Sequence, residues 1–321
     1  MRRAIAGLPA GMVEAAVRWR SIAATVVGGE VPDQAVVERE LVLPLATEPA
    51  WPGPSAPMAV PGGWVQADLI DDDRDTFDRL RRTHPEAGPE TLAELAQQLR
   101  LPVLPYRTRP WPAPPAATSG PARHDGNLAG RTVIDLTSLW AGPLATRLLA
   151  EAGAEVIKID PACRPDGFRV WPRLYDALNG AKQVIDLDLR VGDHRAAFES
   201  LVGEADLLVS SLSRRVLPNL GYDHAALRTL QPRLGTLDIV GFPVGCPEQD
   251  WLAYGTGVHA ISGRGMVDGR PRPTPVAYPD GLAGHAGFVR ALELLGTGDH
   301  GEVSLIESLA AAPSTARTTP R

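Results

Sequence analysis

A chain of 321 residues, 44% hydrophobic and 22% charged, has the make-up of a globular protein with a sizeable core, built as one large domain or two smaller ones. Its net charge of −6 at pH 7 leaves no basic footprint, which excludes nucleic acid as a main partner but not an anionic small ligand held locally. No apolar run reaches the roughly 18 residues a membrane span needs, and the early arginines of "MRRAIAGLPAGMVEAAVRWR" precede an apolar run too short and too charged for a signal peptide.

The expected location is therefore the cytoplasm, with no membrane partner. Cys163 and Cys246 stand far apart in no metal-binding spacing and read as free thiols in a reducing compartment. Lys158 and Lys182 are the only lysines among 32 basic residues, a preference for arginine that reads as coding bias.

In chain order, residues 1–50 hold a helix or two. "VQADLIDDDRDTFDRLRRTHP" and "PETLAELAQQLRLPVLPYR" read as amphipathic helices, the second running into a short strand. "RTRPWPAPPAATSGPARHDGN", 107–127, lacks apolar periodicity and marks a boundary. The expected division is a mainly helical region 1–107, a linker 108–127 and an α/β domain 128–321. In the last part, strands are expected at 131–136, 155–160, 182–189, 206–212 and 234–242, with another beginning at 301. Helices are expected at 141–154, 193–205, 222–231 and 280–296. This alternation predicts βαβ units, a Rossmann-like and mostly parallel sheet, and a ligand site at the carboxyl ends of its strands.

The first strand-to-helix turn, "DLTSLWAGPLATRLL", offers the free N–H groups and positive dipole end of a helix N-terminus. It lacks the GxGxxG fingerprint, so Asp160, placed like a ribose-binding acid, is weak evidence for a dinucleotide. In "PVAYPDGLAGHAGFVRALELLG", Asp280 has two readings. It can be the N-cap of the helix that follows. It can also be a nucleophilic carboxylate, ionised at neutral pH, with Gly281 and Gly284 leaving room for a bulky thioester. His285 and His259 read as structural or solvated, "AYGTGVHAISGRG" as a glycine-rich turn, and the acidic run 68–75 as a solvated helix start. No metal site is expected. GxSxG, P-loop and paired Cys-His motifs are absent.

The ordered segments "TVIDLTSLWAGPLATRLLAEAGAEVIKID", "ALNGAKQVIDLDLR", "ADLLVSSLSRRVLPNLGYDHAALRTLQPRL", "DIVGF" and "PVAYPDGLAGHAGFVRALELLGTGDHGEVSLIESLA" together resemble the class III CoA-transferases, the formyl-CoA and carnitine-CoA transferase group, over about 130–315. The resemblance implies that family's fold and an acyl-CoA:carboxylate CoA-transferase acting through a covalent aspartyl-CoA thioester on Asp280. It implies coenzyme A contacts from Ser138, Leu139, Trp140 and Ala141, from Leu187, and from Ser211 and Leu212. It also implies acyl-CoA and a small organic acid as substrates, no permanently bound cofactor, and a homodimer.

Three departures accompany the resemblance. An acid commonly stands where this chain has Gly255, and an arginine near Asn219. The family pattern runs on past "VSLIESLAA", on segments that carry its interlocked dimer, whereas this sequence ends at Arg321. About 125 residues stand in front instead, where "PETLAELAQQLRLPVLPYR" resembles the helix and strand that come late in the family. Late pieces moved to the front are therefore expected. These departures motivate the alternative of a degenerate, non-catalytic homologue that binds coenzyme A or serves as a partner subunit. The related α-methylacyl-CoA racemases place a histidine–aspartate pair where Tyr254 and Gly255 stand, so a racemase would lack a base here.

Overall fold

The computed structural model describes residues 5–6, 8–9, 11–27, 30–48, 55–114 and 128–312, with Asp71 described by its backbone alone. Most of the expected linker, 115–127, lies outside the described residues.

An alanine- and valine-rich stretch opens the fold as helix α1 (Met12–Val27), followed by α2 (Gln34–Leu41), which the Asp33 side chain caps, and α3 (Leu43–Thr47). Two strands absent from the sequence reading come next, β1 (Met58–Val60) and β2 (Gly63–Ala67), joined by a tight turn with Gly62 at φ +75°. Helix α4 (Asp71–Thr83) starts six residues later than its periodicity suggested, because Val65, Gln66 and Ala67 are strand. Helix α5 (Pro89–Gln98) then leads into β3 (Val103–Pro105), which pairs antiparallel with β2. The first part is thus mainly helical, with a small three-stranded sheet.

The second part alternates as expected. In order come β4 (Thr132–Leu136), α6 (Ala141–Glu151), β5 (Glu155–Ile159), α7 (Pro172–Asn179), β6 (Gln183–Ile185), α8 (Gly192–Glu204) and β7 (Leu207–Ser210). They are followed by α9 (Val216–Asn219), α10 (His224–Leu230), β8 (Gly235–Val240) and α11 (Gly255–Ile261). The chain continues through β9 (Met266–Val267) and β10 (Arg270–Pro271) to α12 (Tyr278–Leu294), β11 (His300–Ser304) and α13 (Leu305–Ala310). Helix α11 occupies what the sequence suggested was a glycine-rich turn.

Six strands form one parallel sheet in the order β11-β8-β7-β4-β5-β6. The chain leaves β4 toward β5 on one side, yet β7 lies on the other. That reversal opens a crevice at the carboxyl ends of β4 and β7, where α/β sheets bind ligands.

Helix α12 is buried on almost every side, so its apolar residues follow no single stripe. It packs on the sheet, α6 and α1 at once, and Met12, Ala16 and Leu41 share its hydrophobic cluster with Leu144, Ile239 and Leu282. A Cβ on Gly281 would come within 3.2 Å of Leu41 Cδ2, and one on Gly284 within 2.7 Å of Leu144 Cδ2. Both glycines therefore serve close helix packing and do not hold space for a thioester, which corrects the sequence expectation.

Candidate active site

At that crevice lies a cleft of about 210 Å³, and Asp280 lines it. One wall is the β4–α6 loop, with Ser138, Leu139 and Ala141; a second is the β7 end, with Ser211 and Leu212. The two walls touch, since Ser138 N–H donates to Ser211 Oγ at 3.0 Å. Five of the seven expected coenzyme A contacts thus meet Asp280 in one cleft. The other two do not line it. Trp140 is turned into the core, only 2% exposed, and Leu187 packs beside the cluster of Ile134, Phe198 and Leu208. A strand's end residue and the N-terminal turn of a helix point in different directions, so adjacent loop residues do not share one surface.

The β4–α6 loop is held from behind. Leu139 adopts a left-handed φ of +68°, unfavourable for a residue with a Cβ. Its N–H donates to Asp166 Oδ1 at 3.1 Å, and Lys158 Nζ lies 3.2 Å from Asp166 Oδ2 while donating to Thr137 O at 2.6 Å. Below it Lys182 Nζ donates to Asp135 Oδ2 at 2.9 Å, and Thr146 and Thr137 donate to the same carboxylate. Burial alone would raise the Asp135 carboxyl. The Lys182 and Lys158 charges and the Thr137 hydrogen bond overcome it and hold Asp135 well below the ordinary carboxylate range. Burial lowers Lys182 to about 8, against the pull of Asp135. Asp160 is fully engaged by Arg169, Tyr175 and the Asp166 N–H, which leaves it no ribose-binding role.

Asp280 is not the N-cap of α12. The cap position is Ala277, and Asp280 stands in the first turn with its side chain reaching away. Its Oδ2 accepts from Gly255 N–H at 2.8 Å, at the N-terminus of α11. A Cβ on Gly255 would fall 2.2 Å from that oxygen, so the residue that looked like a loss is the one that admits the carboxylate. Protein surrounds the carboxyl closely while the residue keeps a partial opening to solvent through the cleft. Burial pushes it up to about 7, the Gly255 N–H opposes this, and the neighbouring Asp68 charge adds to it.

Asp68 was missed because it opens an acidic run that reads as solvated. It accepts from Thr256 Oγ1 and from Gln66 Nε2, the latter at 2.8 Å, and burial raises its carboxyl too. The first part of the chain closes this side further. Gln97 brackets the Leu252 backbone, donating to its carbonyl at 2.9 Å and accepting from its N–H at 2.7 Å. Residues 90–107 thus pack on α11 and the cleft wall, although β3 belongs to the small sheet and not to the large one.

The histidines singled out by sequence stay outside the cleft chemistry. His259 is buried between Tyr278 Oη and Arg272 O, at 2.9 Å each. His285 is buried 3.5 Å from Glu40 Oε2.

A protein-family model described as CoA-transferase family III matches residues 128–317. The succinate–glutarate CoA-transferase of Agrobacterium fabrum is 31% identical over 205 residues, covering 56% of this chain and 51% of that one. The acetyl-CoA:oxalate CoA-transferase of Acetobacter aceti is 32% identical over 205 residues, covering 58% and 53%. Among solved structures, a CAIB/BAIF family protein from Brucella suis superposes with a TM-score of 0.52 at 25% identity, covering 57% of this chain and 54% of that one. The chain spans about half the length of these relatives.

Proposed function

Because the chain belongs to CoA-transferase family III, we propose that it moves coenzyme A from an acyl-CoA donor to the carboxylate of a small organic acid, with Asp280 as covalent nucleophile. The observation that carries this is the Asp280 carboxylate itself: in the cleft, among the carboxyl-end loops of the sheet, with one backbone N–H as its only hydrogen-bond partner beyond its own turn among the described residues. Burial disfavours its charge and raises its basicity, and acylation removes that charge.

In the proposed reaction an Asp280 oxygen attacks the donor thioester carbonyl and expels the coenzyme A thiolate, leaving an aspartyl anhydride. The thiolate attacks the aspartyl carbonyl of that anhydride, forms the aspartyl-CoA thioester and releases the donor acid. The acceptor carboxylate then attacks this thioester and expels the thiolate again. Attack of the thiolate on the acceptor's acyl carbon gives the new acyl-CoA and frees Asp280. Ser138, Leu139, Ala141, Ser211 and Leu212 border the coenzyme, and no permanently bound cofactor is needed. The family relationship supports a homodimer. Two unpaired cysteines, Cys163 and Cys246, support a cytoplasmic setting, and among the described residues no helix is long and apolar enough to cross a membrane.

The test is intact-protein mass after incubation with a panel of acyl-CoAs, followed by hydroxylamine trapping. The expected result is an adduct that maps to Asp280, names a donor and disappears in Asp280→Asn together with turnover, a loss of about a thousandfold or more. A folded chain that binds coenzyme A yet forms no adduct with any donor would make it a non-catalytic partner subunit.

A further inference from the structure

One face of β8 and β11, together with the start of α10, gathers two histidines and an aspartate. His224 opens α10, Asp238 lies in β8, and His300 opens the edge strand β11. One ring nitrogen of each histidine and one Asp238 oxygen all lie within 4.8 Å of one another, and His224 Nε2 is 3.9 Å from Asp238 Oδ2. The imidazoles stack with centroids 3.7 Å apart. Thr236 Oγ1 sits at 3.3 Å from His224 Nδ1 and 3.1 Å from His300 Nδ1.

The register explains the gathering. His300 lies opposite Thr236 and Glu302 opposite Asp238, so the four share one face of the sheet edge. Leu237, Ile239 and Val303 turn to the other face, toward the core cluster beneath α12. Val240 follows on the same face, opposite Ser304, and both histidines are exposed.

We propose that His224, Asp238 and His300 form a binding site for one borderline divalent transition ion of the zinc, cobalt or nickel type, clasping the edge strand to β8 and α10. Two imidazoles and a carboxylate are a donor set such ions accept, with the remaining positions left to water. The Thr236 hydroxyl can accept an N–H from both Nδ1 atoms. Each Nε2 then carries its lone pair toward the ion, the role an outer hydrogen-bond partner usually plays for ligating histidines.

The surrounding charges permit this. Arg214 is held by Glu302 at 2.6 Å and Arg290 by Glu293 at 2.6 Å, so both nearby guanidinium groups are already paired. Asp238 directly precedes Ile239, which lines the cleft, and Arg214, held by Glu302 opposite Asp238, lines the cleft as well. The metal site's expected effect is on the stability of the sheet edge.

The experiment uses the chelator-stripped full chain at pH 7.5. Co(II) is followed by its absorption spectrum and Zn(II) by calorimetry. The expected result is one ion per chain, a rise in Tm with Zn(II) by mass action, and binding weakened about a hundredfold in His224→Ala and in His300→Ala. Thr236→Val should weaken it about tenfold, and His84→Ala should leave it unchanged. Acylation of His224 and His300 by diethyl pyrocarbonate, mapped by mass in the unsubstituted protein, should be blocked by Zn(II); this arm needs no variant to fold. Absence of a nitrogen-ligated Co(II) spectrum, binding by both histidine variants as tight as by the unsubstituted chain, or no protection of the two histidines would overturn the proposal.

Discussion

Asp135 and Asp280 are two carboxylates on the two sides of one loop, and they are treated in opposite ways. Asp135 lies behind the β4–α6 loop with a lysine and two threonines as partners, and it is held ionised. Asp280 lies in front of it with the Gly255 N–H and an unfriendly neighbour, Asp68, and it is pushed up to about 7. Both are surrounded by protein. What differs is how far their charge is compensated. A compensated carboxylate is a fixed strut, while one left short of partners gains by becoming an ester-like neutral group. Chemistry is expected at the second.

The same substitution at both sites gives the sharpest contrast. Asp135→Asn leaves Lys182 as an unpaired buried cation and should destabilise the fold by about 3–5 kcal/mol, read as a shift in denaturant midpoint. Lys182→Met should cost a similar amount, and the double variant should cost clearly less than the sum, with a coupling of at least about 1 kcal/mol. Independent, additive losses would break the picture of one compensated pair.

Gly255→Ala sets a methyl group against the Asp280 oxygen. A displaced nucleophile should form its adduct about tenfold to a hundredfold more slowly, with coenzyme A binding largely kept. An unchanged rate would show that the carboxylate does not work from its position at the α11 N-terminus.

Asp280→Asn should stabilise the chain at pH 8, by about 1–2 kcal/mol. The sign follows from the raised value. Between the unfolded carboxyl range near 4 and about 7, the folded state holds a proton that the unfolded state has lost. Taken by itself, this carboxyl therefore contributes more stability at pH 5 than at pH 8, and the advantage of the asparagine variant should shrink as pH falls toward 5. A variant that loses stability at pH 8 would return Asp280 to a purely structural role.

The smallest effect is expected from Asp68→Asn. Removing that charge lowers the Asp280 value, so the acid limb of the pH–rate profile, otherwise near 7, should move to lower pH by about half a unit. A limb that stays in place would show that burial alone sets the value.

Much of this was legible in the sequence. Runs such as "TVIDL" and "DLLVSSL" are apolar on both faces because parallel strands are covered on both sides, and they gave the sheet its members. Asp280 could be placed in its segment, but whether it capped its helix could not. The answer depended on Gly255, 25 residues away, which contributes only a backbone N–H. The small sheet was hidden because Met58–Val60 and Gly63–Ala67 are short and flanked by Pro61 and Gly62. Asp68 and Gln97 matter through contacts to Thr256 and Leu252 that no local pattern announces. The His224, Asp238 and His300 donors meet only through strand register.

The two lysines carry one more consequence. Lys158 and Lys182 are the chain's entire complement of that residue, and their side chains are 1% and 0% exposed. A guanidinium is larger and planar and cannot take the place of a compact ammonium among so many close oxygen acceptors. The chain keeps lysine only at these two enclosed sites and carries arginine at its other basic positions. The folded protein in consequence offers amine-reactive reagents no lysine at all. Labelling of these two side chains reports, residue by residue, each time the loop that shapes the cleft comes apart.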